Sequence, residues 1–190
     1  MKSVSISGSL RKNVGKRDAK ENRANGLIPC VVYGGEQQYQ FVVPENSFRN
    51  LLYTPEVKYV ELDIEGKKMN AIVQATQFHP ITDKLLHVDF LEVVEGKPIT
   101  ISIPMLLKGT SPGVLRGGKL VKKTRKLKVK GLLEHIPENI TVDISGLDID
   151  NSLKVAEIPA ENIQFVENPA KVVVSVLSTR NVEEAPTEEA

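Results

Sequence analysis

The chain has 190 residues, 41% hydrophobic and 26% charged, with a formal net charge of +1, values ordinary for a globular protein with one large core or two modest ones. No apolar run approaches the roughly 20 residues that a bilayer span requires. The opening MKSVSISGSLRKNVGKR lacks the apolar block of a secretory signal, and the single cysteine, Cys30, excludes an internal disulfide framework and fits a reducing cytoplasm.

The small net charge hides an uneven distribution. Residues 1–27 carry seven bases (Lys2, Arg11, Lys12, Lys16, Arg17, Lys20, Arg23) against two acids, Asp18 and Glu21. Residues 116–130 carry eight bases and no acid, while the last ten residues, NVEEAPTEEA, carry four glutamates and no base. Two basic segments and an acidic tail point to a polyanion partner; the bland alternative is solvated surface lysine.

In chain order, the alternation of Val4 and Ile6 with serines predicts a first strand over 2–7, followed by a loop at 8–15. Residues 16–25 have good helix formers but almost no apolar face, and Gly26 follows at the position of a C-cap. Such a helix is either solvated or binds something through its polar side. Residues 28–33 (IPCVVY) and 39–43 predict a hairpin about Gly34-Gly35, and 44–53 a short amphipathic helix with Pro44 in its first turn. Two alternating strands follow at 57–64 and 69–77, then a loop containing His79-Pro80.

Lys84–Phe90 (KLLHVDF) predicts the last strand of this half, with Leu86, Val88 and Phe90 on the core face and His87 and Asp89 together on the other. That polar pair either satisfies itself structurally or faces a partner outside the protein. Residues 94–98 break the pattern and predict a boundary. Beyond it, strands are expected at 99–107, 120–133, 140–144, 153–155, 163–166 and 172–177, with a Gly/Pro-rich turn at 108–118. Residues 180–190 are expected to be a disordered acidic tail. The fold class expected is mostly β: a first domain over 1–93, a closed sheet with two short helices, and a second β-rich domain over 99–179.

Several chemistries lack their motifs. The three histidines are scattered and Cys30 has no partner cysteine, so no zinc spacing exists. Phosphate-cradling glycine loops and a nucleophile elbow are likewise missing. His87 and Asp89 could orient a general base, but no nucleophile or second carboxylate completes a site. Nucleic acid accounts for more: lysine and arginine contact phosphates, arginine can also fork onto guanine, and Asp89 could accept from a base amino group or orient His87. With 5% aromatic residues a stacking platform is not expected, and shape readout of a structured RNA fits better.

The runs GKRDAKENRANGLIPCVVYGG (15–35), HPITDKLLHVDF (79–90), KGTSPGVLRGGKL (108–120) and NITVDISGLDIDNSL (139–153) resemble the long form of a bacterial large-subunit ribosomal protein family, L twenty-five, also called general stress protein CTC. The resemblance implies an N-terminal β-barrel bound to loop E of 5S ribosomal RNA in the central protuberance, and a C-terminal β-rich domain dispensable for that recognition. It implies RNA contacts at Arg11, Arg23, Tyr33, His87 and Asp89, with Gln74, Lys16 and Arg17 as plausible additions. Neighbouring ribosomal proteins are further expected partners; no cofactor, metal, membrane or small-molecule substrate is expected. A ribosome-associated stress or chaperone-like factor acting through the second domain is the first rival, and an enzyme using His87 and Asp89 the second.

Overall fold

A computed structural model describes residues 2–35, 37–54, 56–94, 96–159 and 162–179. The acidic tail expected at 180–190 lies outside the described residues. The chain divides into two compact units, Met1–Ile101 with Leu132–Glu138, and Ser102–Gly131 with Asn139–Ala190.

The first unit is a closed six-stranded barrel. Its elements are β1 (Lys2–Leu10), α1 (Lys16–Ala24), β2 (Leu27–Tyr33), β3 (Tyr39–Pro44), α2 (Arg49–Leu52), β4 (Lys58–Ile64), β5 (Lys67–Phe78) and β6 (Leu85–Glu92). The strands run in the order β1-β3-β2-β6-β5-β4, and parallel pairing of β1 with β4 closes the ring. Closure leaves no unpaired edge for another chain to extend. Alternate side chains fill the interior: Ile28, Cys30 and Val32 of β2, Phe41 and Val43 of β3, and Leu62 and Ile64 of β4 are all buried. The Phe90 ring lies 5.8 Å from Phe41 and 6.5 Å from Phe48, centroid to centroid, in the offset range where aromatic pairs attract. Gly8 permits the closest approach of β1 and β3, because a Cβ there would sit 2.7 Å from the Phe41 ring and 3.0 Å from the Val42 carbonyl.

The amphipathic helix expected at 44–53 is a 3-10 turn, Glu45–Phe48, running into the single helical turn α2. Pro44 ends β3, opposite Leu27, and does not lie in the helix. Phe48 and Leu51 nonetheless turn inward as expected.

The core-facing set of β6 also differs from expectation. Leu85, not Leu86, is the buried residue: Phe78 pairs with Leu85 while Gln77 pairs with His87, which leaves Leu86 as an extra residue on β6. Such a bulge resets the alternation, so Leu86 is half-buried and Leu85, Val88 and Phe90 anchor the strand. A second bulge lies on β5, where Val73 pairs with Phe90 and Ala75 with Asp89, leaving Gln74 unpaired.

The second unit, whose first strand begins within the last three residues of Met1–Ile101, is also β-rich. Its elements are β7 (Ile99–Lys108), α3 (Pro112–Leu115), β8 (Lys119–Lys122), β9 (Lys126–Gly131), β10 (Ile140–Asp143), β11 (Ser152–Lys154), β12 (Gln164–Phe165) and β13 (Val172–Leu177). They form one sheet in the order β10-β7-β9-β12 and another in the order β11-β13-β8. The long basic strand expected over 120–133 is therefore two strands in different sheets. The chain breaks at 123–125, where Lys123 and Thr124 both donate backbone N–H groups to the Val173 carbonyl. The Gly/Pro-rich turn contains α3, with Ser111 as N-cap: its hydroxyl accepts from the Val114 N–H and donates to the Leu147 carbonyl.

Candidate nucleic-acid interface

The outer surface of β2, β6 and β5, with α1 beside it, gathers the residues singled out in the sequence. Val31 of β2 pairs with Asp89 of β6, which pairs with Ala75 of β5, and the next row sets His87 beside Gln77. Paired residues share a face, so His87 and Asp89 stand on the outside of the barrel with Gln77, over a strand held from inside by Val88 and Phe90. Their side chains are 28% and 26% exposed, and His87 Nδ1 lies 2.7 Å from Asp89 Oδ1. That approach is off the line of a ring N–H: Nδ1 is buried and has no hydrogen-bond partner among the described residues. The two groups touch, but the pair leaves hydrogen-bonding capacity unused, and buried capacity of that kind costs about 1–3 kcal/mol until a partner supplies it.

Helix α1 buries no residue fully, and polar contacts dock it. Its half-buried residues, Asp18, Ala19, Asn22 and Arg23, form one stripe at helical spacing. Arg11 donates to Asp18 Oδ2 through Nε at 3.0 Å and through Nη2, and Asn22 Nδ2 donates to the same oxygen at 3.0 Å. At the other end, Arg23 Nη1 donates to the Leu86 carbonyl, 3.3 Å away, on the bulged stretch of β6. The opposite side of the helix shows Lys16, Arg17 and Lys20 to solvent, and none of the three is in an ion pair among the described residues.

The eight expected residues therefore fall into distinct settings. Lys16 and Arg17 are exposed cations on α1, and Arg23 ties that helix to β6. Tyr33 is half-buried at the end of β2, where Gly34 turns the chain with a φ of 102°. A side chain at Gly34 would also strike Leu91, 2.6 Å from the built Cβ. Gln74 is exposed on its bulge, level with Asp89. Arg11 is the outlier: its side chain is 9% exposed and Asp18 occupies its guanidinium.

Three residues escaped sequence reasoning. Lys20 repeats Lys16 one helical turn on, a spacing that was legible once the helix was recognised. Gln77 emerges only from the β5–β6 register. Gln40 pairs with Val31 in the same row as Asp89, and its buried Oε1 has no hydrogen-bond partner among the described residues. Nothing in the local sequence marks it.

Among the described residues no three His, Cys, Asp or Glu side chains form a metal-binding group, and no helix is long and apolar enough to cross a membrane. Burial, with the Asp89 charge adding to it, pushes the Cys30 thiol up, so that it stays protonated and donates weakly to the Ile28 carbonyl.

The sequence profile described as the Ribosomal L25p family matches residues 6–90, and the profile described as Ribosomal protein TL5, C-terminal domain, matches residues 98–180. A relative from Phocaeicola vulgatus named "Large ribosomal subunit protein bL25" is 43% identical over 187 residues, covering 95% of this chain and 94% of the relative. Relatives of the same name from Bacteroides thetaiotaomicron (43% over 185 residues; 95% and 94% covered) and Cytophaga hutchinsonii (42% over 184 residues; 97% and 96% covered) are similar along the same length. A likeness of this depth, through both β-rich halves, makes the chain a member of the Ribosomal L25p family in its two-domain form.

Proposed function

We propose that this protein is a non-enzymatic component of the bacterial large ribosomal subunit that binds 5S rRNA, within the central protuberance, through the outer face of β2, β6 and β5 and helix α1. Membership of a ribosomal protein family supports the ribosomal role and a cytoplasmic site of action. The observation that carries the RNA assignment is the polar face itself. Exposed Lys16, Arg17 and Lys20 flank a barrel wall on which His87, Gln40 and Asp89 hold unsatisfied or half-exposed polar groups. Lysine and arginine would supply phosphate contacts, which dominate affinity and weaken with salt. Asp89 is repelled by phosphate, so its place is at a base amino group, or orienting His87 towards one. Arg11, occupied by Asp18, would act as a positioning residue for α1, and Arg23 and Leu86 would fix that helix against β6. Tyr33 and Gln74 border the face and extend it.

The test is a gel-shift titration of 5S rRNA with His87→Ala and Asp89→Ala. Each variant should lose about tenfold in affinity, within the ~1–3 kcal/mol of a base-edge contact, and keep the melting temperature of the parent. Two folded variants that bind like the parent would remove His87 and Asp89 from the interface.

A further inference from the structure

We propose that the outward face of β9 in the second unit is a separate phosphate-binding surface that takes the sugar–phosphate backbone of ribosomal RNA. β9 reads Lys-Leu-Lys-Val-Lys, and the alternation is strict: Leu127 and Val129 are fully buried while Lys126, Lys128 and Lys130 are exposed. The strand lies inside its sheet, between β7 and β12. Gln164 of β12 pairs with Lys130, and Val166 donates its N–H to the Lys128 carbonyl. On β7, Leu106 pairs with Thr141 of β10, and both are exposed on the same side of the sheet.

Among the described residues none of the three lysines is in an ion pair. Glu167, the acid next along from β12, is taken by the Lys171 ammonium and the Lys128 backbone N–H. Asp143 pairs across the ladder with Lys108, and hydrogen bonds from Ser145 hold its carboxyl below the usual range. Lys108 is thus offset, but the β9 trio is not. Like charges ranked along one face of a sheet repel, and ordinary protein surfaces intersperse both signs. A row of exposed like charges, unpaired among the described residues, presents a positive surface that attracts a polyanion.

Chemistry and spacing identify that partner. Alternate residues of a strand stand about 6.7 Å apart, comparable with successive phosphates along a nucleic-acid strand. Lysine is a point-charge donor suited to phosphate and carries little base specificity. Val166, bonded to Lys128 through its backbone, is 54% exposed beside the row, apolar surface that free phosphate would not use and that ribose would cover. The inference concerns a different unit from the proposed 5S site and stands apart from it.

The test compares the full chain with its Lys126→Gln/Lys128→Gln/Lys130→Gln variant, whose core residues are untouched. Binding to protein-free large-subunit RNA should lose roughly 2–3 units of log-log salt dependence, at about 0.9 per phosphate on a duplex, while binding to isolated 5S rRNA should stay unchanged. In parallel, lysine acetylation read by mass spectrometry should modify the three lysines in free protein and spare them in assembled subunits. An unchanged salt slope with protection in subunits would mean that a protein covers the face, and overturns the proposal. So would equal reactivity in subunit and free protein, or protection already present in free protein, where the chain's own acidic tail would be the occupant. Loss of parental 5S binding would sink the function proposed above and leave this readout intact.

Discussion

Asp18 places a negative charge in a segment that carries seven bases and one other acid, Glu21, and on charge alone it would weaken binding to the proposed RNA partner. Its carboxylate gathers the Arg11 guanidinium and the Asn22 amide, so the acid holds α1 in place where apolar packing does not. Asp18→Ala should therefore bind 5S rRNA about ten- to a hundredfold more weakly despite the gain in net positive charge, since hydrogen bonds to charged groups contribute ~1.5–3 kcal/mol. A gel shift together with amide exchange of residues 16–24 measures both halves of the claim. Tighter binding would show that Asp18 does no more than repel. Residue identity was legible here only in part: the sequence exposes the cations, but not which of them an internal acid has already claimed, as Asp18 has claimed Arg11.

At the scale of elements, the two bulges decide where side chains aim. Gln74 sits between Val73, opposite Phe90, and Ala75, opposite Asp89, so the strand gains a residue without losing register. Deleting Gln74 leaves those pairings in place and removes the bend together with the side chain. The deletion should fold with a melting temperature within a few degrees of the parent and should bind 5S rRNA more weakly than Gln74→Ala, which keeps the bend and loses the side chain. Equal affinities would mean that the bulge shapes nothing the RNA reads. Strand positions in the first half were readable to within one to three residues, because alternation and Gly/Pro punctuation are local signals. Bulges are properties of a pair of strands, which is why Leu86 was expected where Leu85 stands. The basic run at 116–130 hid a change of sheet for the same reason. Lysines and apolar residues are interleaved on both sides of the break, Lys-Leu-Val-Lys before it and Lys-Leu-Lys-Val-Lys after it, and only the acceptor at Val173 reveals it.

At the scale of the molecule, the core cluster of the barrel runs from Ile6 to Phe90, and its strand ladder ends at Glu92, one residue before the Val93 N–H donates to the Asn70 carbonyl. We propose that recognition of 5S rRNA resides in residues 1–93, joined through 94–98 to a β-rich domain over 99–179. A fragment ending at Val93 should fold by circular dichroism and bind 5S rRNA within about threefold of the full chain. A folded fragment without affinity would refute this division of labour. Alternation and turn residues along the chain made the mostly β architecture legible, and the charge blocks pointed to the polyanion partner proposed above. The row that joins Gln40, Val31, Asp89 and Ala75 was not, since it runs across four strands drawn from distant parts of the sequence.

The strand order β2-β6-β5 has a consequence for synthesis. β6 is the last barrel strand to leave the peptidyl-transferase centre, yet it inserts between two strands made earlier, pairing parallel with one and antiparallel with the other. Until it arrives, β2 and β5 each keep an open edge, and the loop that must close is long, which slows the step. His87 and Asp89 ride on that same strand. A nascent chain therefore gains the polar pair we propose to read RNA in the event that seals its fold, and an unfinished copy carries the cations of α1 without that pair.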